Sequence, residues 1–206
     1  MSDSAAHWDD LWATRDERTV GWYEPVPATL AAVVAAAPGL STSIIDVGAG
    51  ASTLVDHLLQ RGYRDLTLLD VSGEARRATR RRLGSRADQV EYVTADVTSF
   101  VPTRQWELWH DRAVLHFLVE PAERAAYCAT LRRSLEPDGR AVIATFSPDA
   151  PDRCAGLPVV RYDEPALTAE LADELECLGC RPHAPGRGEG DSRPYMICTF
   201  VRRSDT

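Results

Sequence analysis

The sequence predicts an α/β domain, a largely parallel sheet with helices on both faces. Two observations carry that reading. From residue 43 onward, short runs rich in Val, Ile and Leu alternate with longer stretches of helical period, which is the pattern of repeated βαβ units. The first of these runs, Ser43-Ile44-Ile45-Asp46-Val47-Gly48-Ala49-Gly50-Ala51-Ser52, is an apolar strand that ends at a tight Gly-x-Gly turn and then opens a helix. Sheets of this kind begin that way where the backbone must approach a ligand closely.

Strands are expected near 43–47, 66–70, 90–94, 106–110, 140–146, 180–184 and 195–202, and helices near 51–61, 72–83, 121–135 and 164–178. The helix at 121–135 starts on Pro121, where a missing N–H does little harm, and stops before the turn signal Pro137-Asp138-Gly139. The last two strands are joined through a Gly- and Pro-rich stretch from Pro182 to Pro194. They can pair antiparallel, unlike the second mononucleotide half of a dinucleotide dehydrogenase. The first 40 residues precede the alternation and read as a cap. His7 to Trp12 looks helical, Gly21-Trp22-Tyr23-Glu24-Pro25 looks like a loop, and Pro27 to Ala37 is helical again until Pro38-Gly39. Three of the five tryptophans, Trp8, Trp12 and Trp22, lie in this cap. No repeat or low-complexity linker divides the chain. A single domain over residues 1–206 is expected, with a cap (1–40) and a core (41–206).

Composition narrows the function. A net charge of −8 argues against nucleic acid as a main partner, since duplex binding needs a basic surface. The Ala-rich run Leu30 to Ala37 is too short to cross a membrane. Met1-Ser2-Asp3-Ser4 lacks the basic start of a signal peptide, so no membrane association and a cytoplasmic address are expected. All 23 basic residues are arginine, which rules out a Schiff-base lysine, a Walker lysine and a Tyr-x-x-x-Lys pair. The cluster Arg76, Arg77, Arg80, Arg81, Arg82 and Arg86 reads as a solvated helix face. The five cysteines, Cys128, Cys154, Cys177, Cys180 and Cys198, are scattered, and Cys177-Leu178-Gly179-Cys180 is the one Cys-x-x-Cys. With no second pair and a position at the end of an expected helix, they read as buried thiols, without metal or redox work.

The chemistry lies at the strand ends. A second apolar run, Leu66 to Leu69, ends in Asp70, twenty residues past Gly50, where an acid reaches the ribose hydroxyls of an adenosine cofactor. Thr53 stands where a third dinucleotide glycine would be. A missing third glycine and an acid inside the turn, Asp46, suit a ligand that carries a cationic group and no phosphate, which S-adenosylmethionine satisfies. With these residues the chain resembles a small class I S-adenosylmethionine-dependent methyltransferase along nearly its whole length. Within that class it is similar to a bacterial branch reading Trp-His-Asp-Arg-Ala-Val-x-His-Phe, here Trp109 to Phe117, and Cys154 to Tyr162 matches that branch too. The Gly21-Trp22-Tyr23 cap is also similar to a branch that includes eukaryotic lysine methyltransferases.

The resemblance implies a Rossmann-like seven-stranded sheet of order 3-2-1-4-5-7-6 with the last strand antiparallel. It places the methionine moiety of S-adenosylmethionine, or of its product S-adenosylhomocysteine, at Asp46, Gly48, Ala49 and Gly50. Asp70 and Val71 fall at the ribose, Asp96 and Val97 beside the adenine, and His110 between cofactor and acceptor. Trp22 and Tyr23 are expected to close over the sulfonium, whose charge favours an aromatic face. His110, Asp111, Arg112 and His116 form the candidate catalytic group, with a histidine as base, since imidazole titrates near neutrality, and Arg112 as a carboxylate clamp or an ion-pair partner. No metal is expected. The acceptor is expected to be the oxygen, nitrogen or sulfur of a small molecule. A protein side chain and a non-catalytic cofactor-binding subunit are the alternatives, and the protein is expected to be a monomer or homodimer.

Overall fold

A computed structural model describes residues 3–183 and 193–203. Five strands come first, β1 (Ile44–Val47), β2 (Leu66–Asp70), β3 (Glu91–Thr94), β4 (Trp106–Arg112) and β5 (Leu135–Phe146). A two-residue hairpin follows, β6 (Arg153–Cys154) with β7 (Leu157–Pro158), and then β8 (Leu175–His183) and β9 (Tyr195–Arg202). The main sheet runs β3-β2-β1-β4-β5-β9-β8, which is 3-2-1-4-5-7-6 once the small hairpin is set aside. Neighbours from β3 to β5 pair parallel, and β9 runs antiparallel to both β5 and β8. The helices are α1 (Asp3–Thr14), α2 (Leu30–Ala36), α3 (Leu54–Gln60), α4 (Gly73–Leu83), α5 (Pro121–Ser134) and α6 (Glu164–Glu170).

Strand alternation divides the core in two. On one side Ile44, Leu108 and Val142 pack with α2 and α3; on the other, Ile45, Trp109 and Ile143 pack with α5 and α6. A third cluster ties the cap to the body, Trp12 and Val20 meeting Ala75 and Ala78 of α4. Asp9 of α1 strengthens that joint. It accepts the Ser72 hydroxyl at 2.7 Å and the Glu74 N–H at 3.2 Å, so a cap carboxylate sits at the N-terminus of α4, where the helix dipole favours it. These hydrogen bonds hold the Asp9 pKa below the ordinary carboxylate value.

Four expectations are corrected. The helix expected to reach 178 stops at Glu170, because residues 175–183 form a ladder with β9 that outweighs their helical period. Pro137-Asp138-Gly139 does not precede the fifth strand. It bulges inside it, with Asp138 at φ 60° and the register to β4 slipping between Trp106 and Leu108. Arg82 is not on a solvated face; its guanidinium donates to the carbonyls of Ala51 and Ser52 and pairs with Asp56, tying α4 to the glycine turn and α3. Cys180 and Cys198 are not thiols but form a disulfide between β8 and β9. Of the stretch 182–194, residues 184–192 lie outside the described residues.

Candidate active site

The C-terminal ends of β1, β2 and β4 open beneath the cap into a cavity of about 440 Å³. That volume is within the range of small-ligand sites, roughly 300–1,000 Å³. Asp46, Gly48, Ala49 and Gly50 line it, as do Asp70 with Val71, Asp96 with Val97, and His110 with Arg112. The cap contributes Trp8, Trp12, Trp22 and Tyr23. Every residue expected to hold a cofactor therefore reaches one cavity. Two of the four expected catalytic residues, Asp111 and His116, do not.

The glycine turn is shaped by two positive φ values, +60° at Gly48 and +52° at Gly50. A Cβ on Gly48 would come 1.9 Å from Val114 Cγ2, and one on Gly50 would come 3.1 Å from the Trp12 ring. Glycine is thus required at 48 by the segment after β4 pressing on the turn, and at 50 by the cap pressing from the other side. Asp70 fixes the same turn, accepting Gly50 N–H and Ser72 N–H on separate oxygens, both at 2.7 Å. Burial pushes its carboxyl up to about 6 against those two donors, and the charges of Asp46 and Asp9 add to the rise.

Asp46 and His110 are register partners on adjacent parallel strands, so both point to the same face. The His110 Nδ1 lies 2.6 Å from Asp46 Oδ1 and its Nε2 lies 2.9 Å from Thr29 Oγ1. With Asp46 ionised, Nδ1–H donates to it and the Thr29 hydroxyl donates to Nε2. Both ring nitrogens are engaged, which leaves His110 to orient Asp46 rather than to accept a proton. The second oxygen of Asp46 is buried and has no hydrogen-bond partner among the described residues. An orphaned buried acceptor of this kind costs about 1–3 kcal/mol and calls for a donor.

Arg112 is committed to the cap. It lies 3.4 Å from a carboxylate oxygen of Glu24, and both of its terminal nitrogens donate to the Trp22 carbonyl at 3.3 Å. Its ion-pair partner is thus Glu24 of the cap. The Thr53 hydroxyl donates to the Glu24 carbonyl at 2.8 Å, so the cap loop is tied to β4 and to the glycine turn at once. Trp22 also sits edge-to-face with Trp8 and Trp12, their ring centroids 6.2 and 6.1 Å away.

Asp111 points to the opposite side of the sheet. It is fully buried, accepts the Tyr127 hydroxyl at 2.7 Å and the N–H groups of Val114 and Leu115, and burial raises its carboxyl to about 6. It shapes the turn after β4, where Ala113 takes φ 75°. His116 lies in a short 3₁₀ turn (Leu115–Phe117), fully buried between the rings of Phe117 and Phe146. Its Nδ1 accepts the Phe146 N–H at 3.3 Å. Burial, with the nearby Arg193 and Arg112 charges, lowers its pKa to about 3. It is a neutral core histidine.

Sequence reading missed Trp12 as the residue that closes on Gly50, Glu24 as the anchor of Arg112, and His7 in the cavity lining. For the cap helix the signal was present. Trp8, Leu11 and Trp12 stand at i, i+3 and i+4, one apolar face. Among the described residues no group of three or more His, Cys, Asp or Glu side chains could hold a metal ion.

Residues 44–139 match a family model described as a methyltransferase domain. No curated protein matches the chain. Among solved structures, one determined in work on the conversion of a disulfide bond into a thioacetal group during echinomycin biosynthesis superposes with a TM-score of 0.77 at 17% identity, covering 98% of this chain and 94% of that one. The Burkholderia thailandensis 1,6-didemethyltoxoflavin-N1-methyltransferase, solved with bound 1,6-didemethyltoxoflavin and S-adenosylhomocysteine, gives 0.68 at 23% identity, covering 98% and 84%. The glycopeptide N-methyltransferase MtfA with S-adenosylhomocysteine gives 0.66 at 19%, covering 95% and 97%. The chain thus has the fold that class I methyltransferases share, and its central segment, residues 44–139, matches the methyltransferase domain.

Proposed function

We propose that the protein binds S-adenosylmethionine and transfers its methyl group to an oxygen, nitrogen or sulfur of a small-molecule acceptor. The observation that carries this is Asp46, a buried carboxylate with one oxygen held by His110 and the other without a partner among the described residues, set beside a turn that only glycine can make. The donor set fits the cofactor. Asp46 would take its ammonium group. Asp70 would take the ribose hydroxyls on the lone pairs its two backbone bonds leave over. Asp96 and Val97 would flank the adenine, and the Trp22 and Tyr23 rings would face the sulfonium. When bound, the cofactor supplies an electrophilic methyl.

The protein's own part is placement. The cap lines one side of the cavity with Trp8, Trp12 and Trp22, and the strand ends would fix the acceptor's approach, which can provide much of the rate. His110 has both ring nitrogens engaged and His116 is buried outside the cavity lining, so the acceptor would attack with its own lone pair and any proton it carries would pass to solvent. A small-molecule acceptor is the reading that the similar structures favour. Two of the similar structures come from enzymes whose names give a didemethyltoxoflavin and a glycopeptide as acceptors. Calorimetry should show binding of S-adenosylmethionine and S-adenosylhomocysteine and none of NADH; the reverse pattern would overturn the reading. Methyl-labelled cofactor added to a cell extract should label the small-molecule fraction, and label confined to protein would move the acceptor to a side chain.

A further inference from the structure

The antiparallel pair β8–β9 gathers three sulfurs outside the cavity. Cys180 stands directly opposite Cys198 and is bonded to it. Cys177 stands three residues before Cys180, and in a regular strand two such residues point to opposite faces. A bulge changes that. The register slips between Cys177 and Gly179, so that Cys177 opposes Phe200 and Cys180 opposes Cys198. Leu178, the extra residue, is pushed outward and is 54% exposed. Phe200 and Cys198 are two apart on β9 and share a face, so Cys177 is turned to the disulfide's side, and its Sγ lies 3.6 Å from that of Cys180. Cys198 is fully buried, whereas Cys177 and Cys180 are only half-buried.

We infer that these three residues form a thiol–disulfide exchange centre in which Cys177 is the internal nucleophile. The Cys177 thiolate attacks Cys180 Sγ. The Cys177–Cys180 bond forms as the Cys180–Cys198 bond breaks, and Cys198 leaves as a thiolate that takes up from water the proton Cys177 gave to it. No net oxidation or reduction occurs, and no outside reagent is consumed. The exchange moves the disulfide from a pair with one buried sulfur to a pair with both sulfurs nearer solvent, and returns Cys198 to the core as a thiol, a small apolar group that such a site accommodates. An external dithiol can then reduce the Cys177–Cys180 bond, giving three thiols and the oxidised dithiol. Nothing in the proposed methyl transfer needs this arrangement. Its nearest structural consequence is at Arg181, which follows Cys180 and donates to the Ala28 carbonyl of the cap at 2.9 Å.

The test is disulfide mapping of the full chain across a series of glutathione redox buffers, with acid quench, alkylation, tryptic digestion and mass spectrometry. Arg181 and Arg193 each precede a proline and resist trypsin, so Cys177 and Cys180 share one peptide and Cys198 lies in another. Cys180–Cys198 links two peptides, while Cys177–Cys180 closes within one and leaves Cys198 alkylated. Wild type should yield both species at intermediate poise, Cys177→Ser should lose the internal one, and oxidised Cys198→Ser should consist of it. A wild type that passes from the linked pair to full reduction without the internal species overturns the inference, and that result stands whether or not the serine variants fold.

Discussion

Gly48 offers the sharpest test of how the glycine turn is built. An alanine there places its Cβ 1.9 Å from Val114 Cγ2, whereas ordinary contact begins at 3.4 Å. About 1.5 Å must therefore be found by moving one segment against the other, an overpacking that costs about 1–3 kcal/mol. Holding alanine at φ +60° adds about 1–2 kcal/mol, so Gly48→Ala should lose about 2–5 kcal/mol in all. The same geometry predicts a partial rescue. With Val114 cut to alanine, the nearest atom is its Cβ at 3.4 Å, an ordinary contact, and only the backbone strain remains. In urea denaturation of wild type, both single variants and the double variant, the double should be more stable than additivity predicts by about 1–3 kcal/mol, far beyond the roughly 0.5 kcal/mol expected of independent sites. Additive losses would refute the view that Val114, rather than the ligand space, demands glycine at 48. Whether the double variant recovers cofactor binding then separates a displaced turn from a filled site.

Asp70 has a folded-state pKa of about 6 against an ordinary 3.8, so the fold binds its proton more tightly than the unfolded chain does. Its contribution to stability therefore falls as pH rises from about 4 to 6, and Asp70→Asn should remove that part of the slope in pH-dependent denaturation. S-adenosylmethionine affinity, by calorimetry, should weaken as pH falls through about 6 and Asp70 takes up its proton. An affinity flat across that window would detach Asp70 from the ribose. Arg112→Ala, or Glu24→Gln, should loosen the cap loop. Tryptophan emission should shift to the red and the change on adding cofactor should grow, while an unchanged spectrum would count against the tether. His116 has its pKa lowered to about 3, so its burial weakens the fold as pH falls below about 6.5. His116→Ala should lower thermal stability, leave turnover per folded molecule within about twofold, and lack the 10²–10⁴-fold loss of a missing general base.

Much of the fold was legible because its signals are local and repeated. The apolar runs at 44–47 and 66–69 are followed by turns and separated by a helix, and such runs have few other ways to bury both faces. The region past Glu170 was less legible. Leu175 to His183 carries no strand alternation, since a bulge interrupts the period at Cys177 and the strand owes its existence to β9, twenty residues later. The disulfide was hidden for the same reason. Two cysteines eighteen residues apart say nothing until the register sets them opposite one another. Arg82 reads in sequence as one more solvated arginine because its partners, the Ala51 and Ser52 carbonyls and the Asp56 carboxylate, lie about thirty residues away and no motif marks them.

The glycine-turn side of the cavity and its β4 side differ in legibility for a physical reason. A turn with two positive φ values and an acid at each strand end constrains residue type, so Asp46, Gly48, Gly50 and Asp70 stand out in one sequence. The segment His110-Asp111-Arg112 instead tempts a reader to treat neighbours as a unit, although a strand sends neighbours to opposite faces. Alternation through Leu108, Trp109, His110, Asp111 and Arg112 puts Leu108, His110 and Arg112 on one side and Trp109 with Asp111 on the other. The bonds follow that division. His110 meets Asp46 and Arg112 meets Glu24 beneath the cap, while Asp111 meets Tyr127 of α5 across the sheet. One strand thereby holds the cavity-lining Asp46, the cap loop and the turn that presses on Gly48. Under the proposed function His110 and Arg112 would act on the ligand through Asp46 and Trp22, and Asp111 through Val114. If the proposed methyl transfer works by position, its sensitivity to mutation should follow the tethers as closely as the residues that touch the ligand.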